Sequence, residues 1–218
     1  MQIRVIARCV LSLPIALAAC TSNNDTTGTQ NTGPQFMILG NDMSARLQNV
    51  YITLNNAAKP GLTVTVNGTA LTNTSGGQYF GGLPAALATG AAIQLVVTDG
   101  TNTATGNSIV PALPVITSAT VASHGAPVVV AWSSATSPDS FQVSLNYHLP
   151  DSSAVGVTMR LAGSARQVSI PQTDIPANGV VYSIGLQGMM NGTFTGAAAA
   201  GSRMNVRADV PSYPFTVP

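Results

Sequence analysis

Short runs that alternate apolar and polar residues, cut by Asn-Gly and Asp-Gly pairs, restrict this chain more than any other feature. Leu62, Val64 and Val66 alternate with Thr63 and Thr65; Asn67-Gly68 follows, and 69–72 returns. A period of two puts one set of side chains on each face of a strand, and Asn-Gly suits a two-residue type I′ turn. The pattern predicts a hairpin with Thr63 and Thr65 pointing outward. Residues 93–98 and 101–105 repeat it around Asp99-Gly100, and 180–190 and 193–197 around Asn191-Gly192. No stretch sustains the 3.6-residue period of a packed helix. Only 85–88 and 197–200 suit a helical turn, and Gly196 and Gly201 bracket the second. The expectation is an all-β chain.

Composition narrows the partners. Charged residues are 7% of the 218, glutamate is absent and Lys59 is the sole lysine. Helix bundles and coiled coils lean on Glu and Lys. Nucleic-acid binding needs a dense basic patch, so no nucleic-acid partner is expected. A formal charge of +1 gives no long-range steering.

Residues 1–19 read as a signal peptide, with Arg4 and Arg8 in a positive n-region and an apolar stretch over 9–18. That stretch is shorter than the about 20 residues a bilayer-spanning helix needs. The run Leu17-Ala18-Ala19-Cys20 resembles the lipobox of bacterial lipoproteins. The resemblance implies cleavage before Cys20, acylation of its thiol, and a membrane partner reached through lipid. Two or three acyl chains hold a protein stably at a membrane, at about 0.8 kcal/mol per buried methylene. Thr21 in place of aspartate implies the outer membrane, if the source is Gram-negative. Loss of Arg4 and Arg8 leaves six basic residues against seven aspartates, a formal −1. Cys9 leaves as well, so an acylated Cys20 excludes an internal disulfide or thiolate metal site.

Residues 20–34 follow as a lipidated tether. From Thr21 onward the segment is Thr, Asn, Gly, Gln, Ser, Asp and Pro, with nothing to bury, and is expected to be disordered. The stiff, proline-bearing link 110–115 then divides the rest into 35–111 and 112–218. Each piece is near the size of one β-sandwich.

The second piece carries a further resemblance. Val128, Val130 and the only tryptophan, Trp132, share one parity; Phe141, Val143, Leu145 and Tyr147 share another; Ile175-Pro176 precedes Tyr182. This resembles a fibronectin type III domain, with a core tryptophan, an aromatic-led third strand and a corner tyrosine. Ile175 and Tyr182 are seven positions apart where the family usually has six. The resemblance implies a core containing Trp132, Phe141 and Tyr182. The first piece resembles immunoglobulin-like sandwiches in strand rhythm. Together they predict two tandem immunoglobulin or fibronectin type III-like β-sandwich domains after a signal peptide and tether.

Candidate chemistry is sparse. Ser152, His148 and Asp151 are close in sequence, but a triad is a matter of geometry, and no Gly-x-Ser-x-Gly elbow exists. His124 sits in a turn-like Ala-Ser-His-Gly. The seven aspartates are scattered in turn contexts, with no Asp-rich loop for calcium; Asn41-Asp42 and Pro138-Asp139 are the nearest approach. No catalytic residue, metal or cofactor is assigned. Tyr79 and Phe80, framed by Gly76-Gly77 and Gly81-Gly82, are either an aromatic platform for a glycan or one core aromatic between turns. Met189-Met190 offers an adaptable apolar tip, with one side chain inward. Arg160, Arg166, Arg203 and Arg207 form either a basic stripe or solvated guards of sheet edges.

These features point to a lipid-anchored, non-enzymatic envelope protein acting in binding, adhesion or structural support. The alternatives are an accessory subunit of an envelope or secretion assembly, and a carbohydrate-binding module. Residues 62–98 carry no charge, so a protein partner, or a second copy, is expected to add a strand to a poorly guarded edge near Thr63 and Thr65.

Overall fold

A computed structural model describes residues 35–121, 126–148, 154–171, 180–209 and 213–214. Cys20, the tether, His124, Asp151, Ser152 and Ile175-Pro176 lie outside the described residues, as do the side chains of Tyr147, His148 and Tyr182.

All described regular elements are strands, and the fold is all-β. The first half contributes β1 (Phe36–Ser44), β2 (Leu47–Leu54), β3 (Ala57–Ala58), β4 (Thr63–Val66), β5 (Thr69–Ala70), β6 (Thr72–Ser75), β7 (Gln78–Gly82), β8 (Ala92–Thr98) and β9 (Thr103–Ile109). The second contributes β10 (Val115–Val121), β11 (Val128–Ser133), β12 (Ser140–His148), β13 (Ala154–Ala162), β14 (Gln167–Ile170), β15 (Val180–Asn191), β16 (Thr193–Gly196), β17 (Arg203–Asp209) and β18 (Tyr213–Pro214).

One long sheet runs through both halves in the order β13-β12-β15-β17-β1-β2-β7-β6. The smaller sheets are β16-β9-β8-β4-β5 and β10-β11-β14. Register keeps one face of the long sheet buried from β12 to β7. Phe141 lies opposite Gly188, and Gly188 opposite Ala208. Two residues back along β17, Val206 pairs with Met43; Ile38 pairs with Ile52, and Val50 with Tyr79. Since paired residues share a face, both cores lie on the same side of this sheet.

The five-stranded sheet closes the first core: Val64, Val66, Ile93, Leu95 and Val97 pack with Phe36, Ile38, Ile52 and Tyr79. The three-stranded sheet closes the second: Val128, Val130, Trp132 and Ile170 pack with Phe141, Val143, Leu145, Ile184 and Leu186. Trp132 meets Phe141 edge-on at 5.4 Å between ring centroids. Arg166 covers the other ring, its guanidinium carbon 5.5 Å from the Phe141 centroid.

Two of the three expected hairpins form. Asn67 and Gly68 have φ of 47° and 79°, as a type I′ turn requires, and Val66 pairs with Thr69. β8 and β9 also pair, but Thr98 opposes Thr103, so the loop has four residues. The Asp99 carboxylate explains the longer loop, accepting the backbone N–H groups of Thr101 at 2.9 Å and Asn102 at 2.7 Å.

The third hairpin is a correction. β15 pairs with β17, whereas β16 crosses to the other sheet and pairs with β9. At the crossing Asn191 donates its N–H to Asp139 Oδ2 at 2.7 Å, and Gly192 donates to the Met204 carbonyl at 2.6 Å. A Cβ on Gly192 would lie 2.9 Å from the Asn107 carbonyl oxygen, so this glycine serves close packing rather than a turn.

The link at 110–115 separates the two covering sheets but not the long one. Ala197, Met204 and Val206 belong to the first core, with Phe194 and Ala198 packed against it, although all follow residue 111. β1, the first described strand, runs parallel to β17. Thus the chain closes its first core with its last third.

The expected edge also moves. β4 has β8 on one side, with β5 and the Leu71 N–H to Val64 carbonyl bond (2.8 Å) on the other. Thr63 and Thr65 therefore stand within a paired strand. Among the described residues the longer terminal strands are β13 and β10, in the second half.

Candidate functional site

With both cores on one side, the opposite face of the long sheet is open to solvent over its first half. β2 shows how the sequence builds it. Gln48, Val50 and Ile52 point inward, so Leu47, Asn49, Tyr51 and Thr53 point outward. On β7 the inward residue is Tyr79, which sends Gln78 and Phe80 outward. Leu47, Tyr51 and Phe80 remain 53%, 41% and 44% exposed. Large apolar side chains grouped on one face mark an interaction surface more often than scattered ones do.

Register fixes their arrangement. Leu39, Tyr51 and Gln78 are direct neighbours across β1, β2 and β7, and Asn49 lies beside Phe80. Gln78 donates from Nε2 to Asn49 Oδ1 at 3.2 Å, so the two amides are held as a pair. Leu39, Asn41, Asp42, Asn49, Tyr51 and Gln78 line a groove of about 260 Å³. The β-bulge between Leu39 and Asp42 on β1 shapes its wall.

Asp42 carries the only carboxylate of that groove, and Arg207 Nη1 meets it at 2.7 Å. Beyond β17 a second groove, about 350 Å³, is lined by Arg160, Asn191, Ser202, Arg203 and Asn205 among others. Arg160 donates from Nε to Ser140 Oγ at 3.1 Å. Arg203 is exposed, and among the described residues neither it nor Arg160 meets a carboxylate.

Tyr79, one half of the candidate platform, is 1% exposed. Its hydroxyl accepts the Leu62 N–H and donates to the Lys59 carbonyl, both at 2.9 Å. It is a core residue that pins the segment before β4, and it presents no ring face to a glycan. Phe80 is exposed as a platform residue must be, but its aromatic neighbour on the open face is Tyr51.

The other candidates divide by role. Trp132 and Phe141 are in the second core. Met189 and Met190 are both half-buried. Arg166 is no solvated guard: it donates to the Gly163 and Ala165 carbonyls at 2.9 and 2.7 Å and to Ser137 Oγ at 2.9 Å. Arg203 and Arg207 lie on β17, an inner strand, and Arg160 alone of the four lies on the terminal strand β13. Asp139 is committed to the Asn191 N–H. No family model matches the chain, and no curated protein matches it.

Sequence reading overlooked Tyr51. Both parities of β2 carry large apolar residues, Val50 and Ile52 on one and Leu47 and Tyr51 on the other. Alternation alone therefore leaves its orientation undecided. Gln48 is the opposite case: a polar residue, fully buried, donating from Nε2 to the Ser44 carbonyl at 2.7 Å.

Proposed function

We propose that this chain is a lipid-anchored, non-enzymatic binding module of the bacterial cell envelope that engages its ligand through the open face of the long sheet. The observation that carries the reading is the grouping of exposed Leu47, Tyr51 and Phe80 with the Asn49–Gln78 amide pair on a face that neither covering sheet meets. Recognition sites mix a few apolar platforms with fixed polar groups in this way. The anchor is Cys20 in its lipobox, and an outer-membrane location follows from Thr21 if the source is Gram-negative. In this reading the second half is a fibronectin type III-like domain. Three strands in one sheet face the run β13-β12-β15-β17, with the tryptophan on the second strand.

Two measurements test the reading. Full-length wild type should fractionate with membranes and carry acyl chains on Cys20, whereas Cys20→Ser should be unlipidated. An unmodified Cys20 in the mature protein overturns the anchor. In the soluble chain from residue 21, the Tyr51→Ser, Phe80→Ser double variant should keep the tryptophan fluorescence of the wild type and lose retention on purified envelope material. Wild-type retention by that variant overturns the binding face.

A second reading, an assembly subunit joined through a sheet edge, is favoured by one observation. β13 ends the long sheet with nine residues and a single charge, Arg160. Such a strand offers unpaired backbone groups to a partner. Val157→Lys, on a half-buried position, perturbs the fold; Thr158→Pro instead removes a backbone donor and should abolish strand addition.

A further inference from the structure

We infer that the ligand of the open face is an acidic glycan lying across the strands, with a sugar ring against Tyr51 and its anionic group on Arg203. This rests on the reading of that face as a binding surface. It adds the ligand's charge and its direction.

The direction comes from register. Arg203 on β17 is the neighbour of Leu39 on β1, Leu39 of Tyr51 on β2, and Tyr51 of Gln78 on β7. These four positions form one row perpendicular to the strands. Strands lie about 4.8 Å apart, so the row covers about 14 Å of backbone, the reach of a short oligosaccharide.

The charge comes from the groups along the row. Over β1, β2 and β7 the side-chain amides are those of Asn41, Asn49 and Gln78, and the one carboxylate of the groove, Asp42, is neutralised by Arg207. Amides and an aromatic face suit hydroxyls and the C–H face of a sugar ring. At the β17 end Arg203 and Arg160 stand with Asn191, Ser202 and Asn205. Guanidinium groups take carboxylate or phosphate with paired hydrogen bonds. A neutral glycan would leave that end unused. A nucleic acid would need many more cations than two arginines supply.

The test uses the intact soluble chain from residue 21 and two probes of equal length, an alginate oligosaccharide as the acidic glycan and a dextran oligosaccharide as the neutral one. Alginate should bind, with dextran at least about tenfold weaker, the scale of a charge-assisted hydrogen bond. Arg203→Gln should lower alginate affinity by a similar factor without changing dextran binding, and Arg203→Lys should restore part of it. Tyr51→Ala should weaken both. A phosphorylated mannan in place of alginate tells a general anion requirement from a carboxylate one.

Equal binding of alginate and dextran, or alginate binding that Arg203→Gln leaves unchanged, overturns the inference. So does alginate binding too weak to measure. If envelope retention still depends on Tyr51 and Phe80 in these cases, the binding-face reading stands and only the acidic ligand falls. If retention is independent of both, the two fail together.

Discussion

The two cores share a sheet yet are closed in different ways. The second is assembled from neighbours in sequence: β10, β11, β12, β13, β14 and β15 supply its residues before the chain reaches 192. The first begins at Phe36 and is completed only by Ala197, Met204 and Val206. Locally built cores need only short loops to close, whereas the pairing of β1 with β17 joins residues more than 160 positions apart and costs correspondingly more chain entropy. Sequence-adjacent halves are therefore not equivalent folding units here.

That difference is most open to attack by truncation. Residues 35–111 alone lack β16 and β17, so they should show no cooperative thermal transition by circular dichroism. A sharp transition would mean the first core closes without the C-terminal strands. Next in size is Trp132→Ala, which empties the second core beside Phe141 and should cost about 3–5 kcal/mol in denaturant unfolding. Because the two cores meet through β15 and β17, this variant also tells whether they unfold together. Coincident transitions by tryptophan-independent probes of each half would show coupling, and a separated early transition would show independence.

Smaller effects sharpen the boundary between the halves. Asp42→Asn breaks the ion pair to Arg207, whose partners are 48% and 34% exposed. Exposure holds the expected loss to at most about 1 kcal/mol, and it should shrink in high salt. The smallest change is Asp99→Asn in the β8–β9 loop. The N–H groups of Asn102 and Thr101 hold the Asp99 carboxyl below the usual aspartate range. A carboxylate with a depressed folded pKa stabilises above its unfolded value and loses that contribution as pH falls. The wild type should therefore exceed the variant slightly at pH 7, and the gap should close below about pH 4.

Local features of this fold were legible in the sequence. Asn67-Gly68 announced its turn, and the parity of Val128, Val130 and Trp132 announced the second core. Tyr79 was ambiguous because its flanking glycines carry no periodicity to orient it. The crossing at Asn191-Gly192 was hidden for another reason. A turn dipeptide reports local geometry, but whether β16 joins β15 or β9 depends on partners some ninety residues distant. The proposed binding face inherits both problems: Phe80 stands among turn glycines, Tyr51 stands on a strand with two apolar parities, and their adjacency exists only in the register of β2 and β7.

The placement of β1 governs how a tethered molecule would bear load. Held between β2 and β17, β1 is further fastened at its start, where Phe36 donates its N–H to the Ala197 carbonyl at 2.7 Å and accepts from the Ala199 N–H at 2.8 Å. Tension arriving through Gln35 along the strand axis would shear two ladders at once instead of peeling one bond at a time. A protein pulled from its anchor by a ligand on the open face would thus resist through a strand bonded on both sides, and would yield there only when the first core opens as a whole.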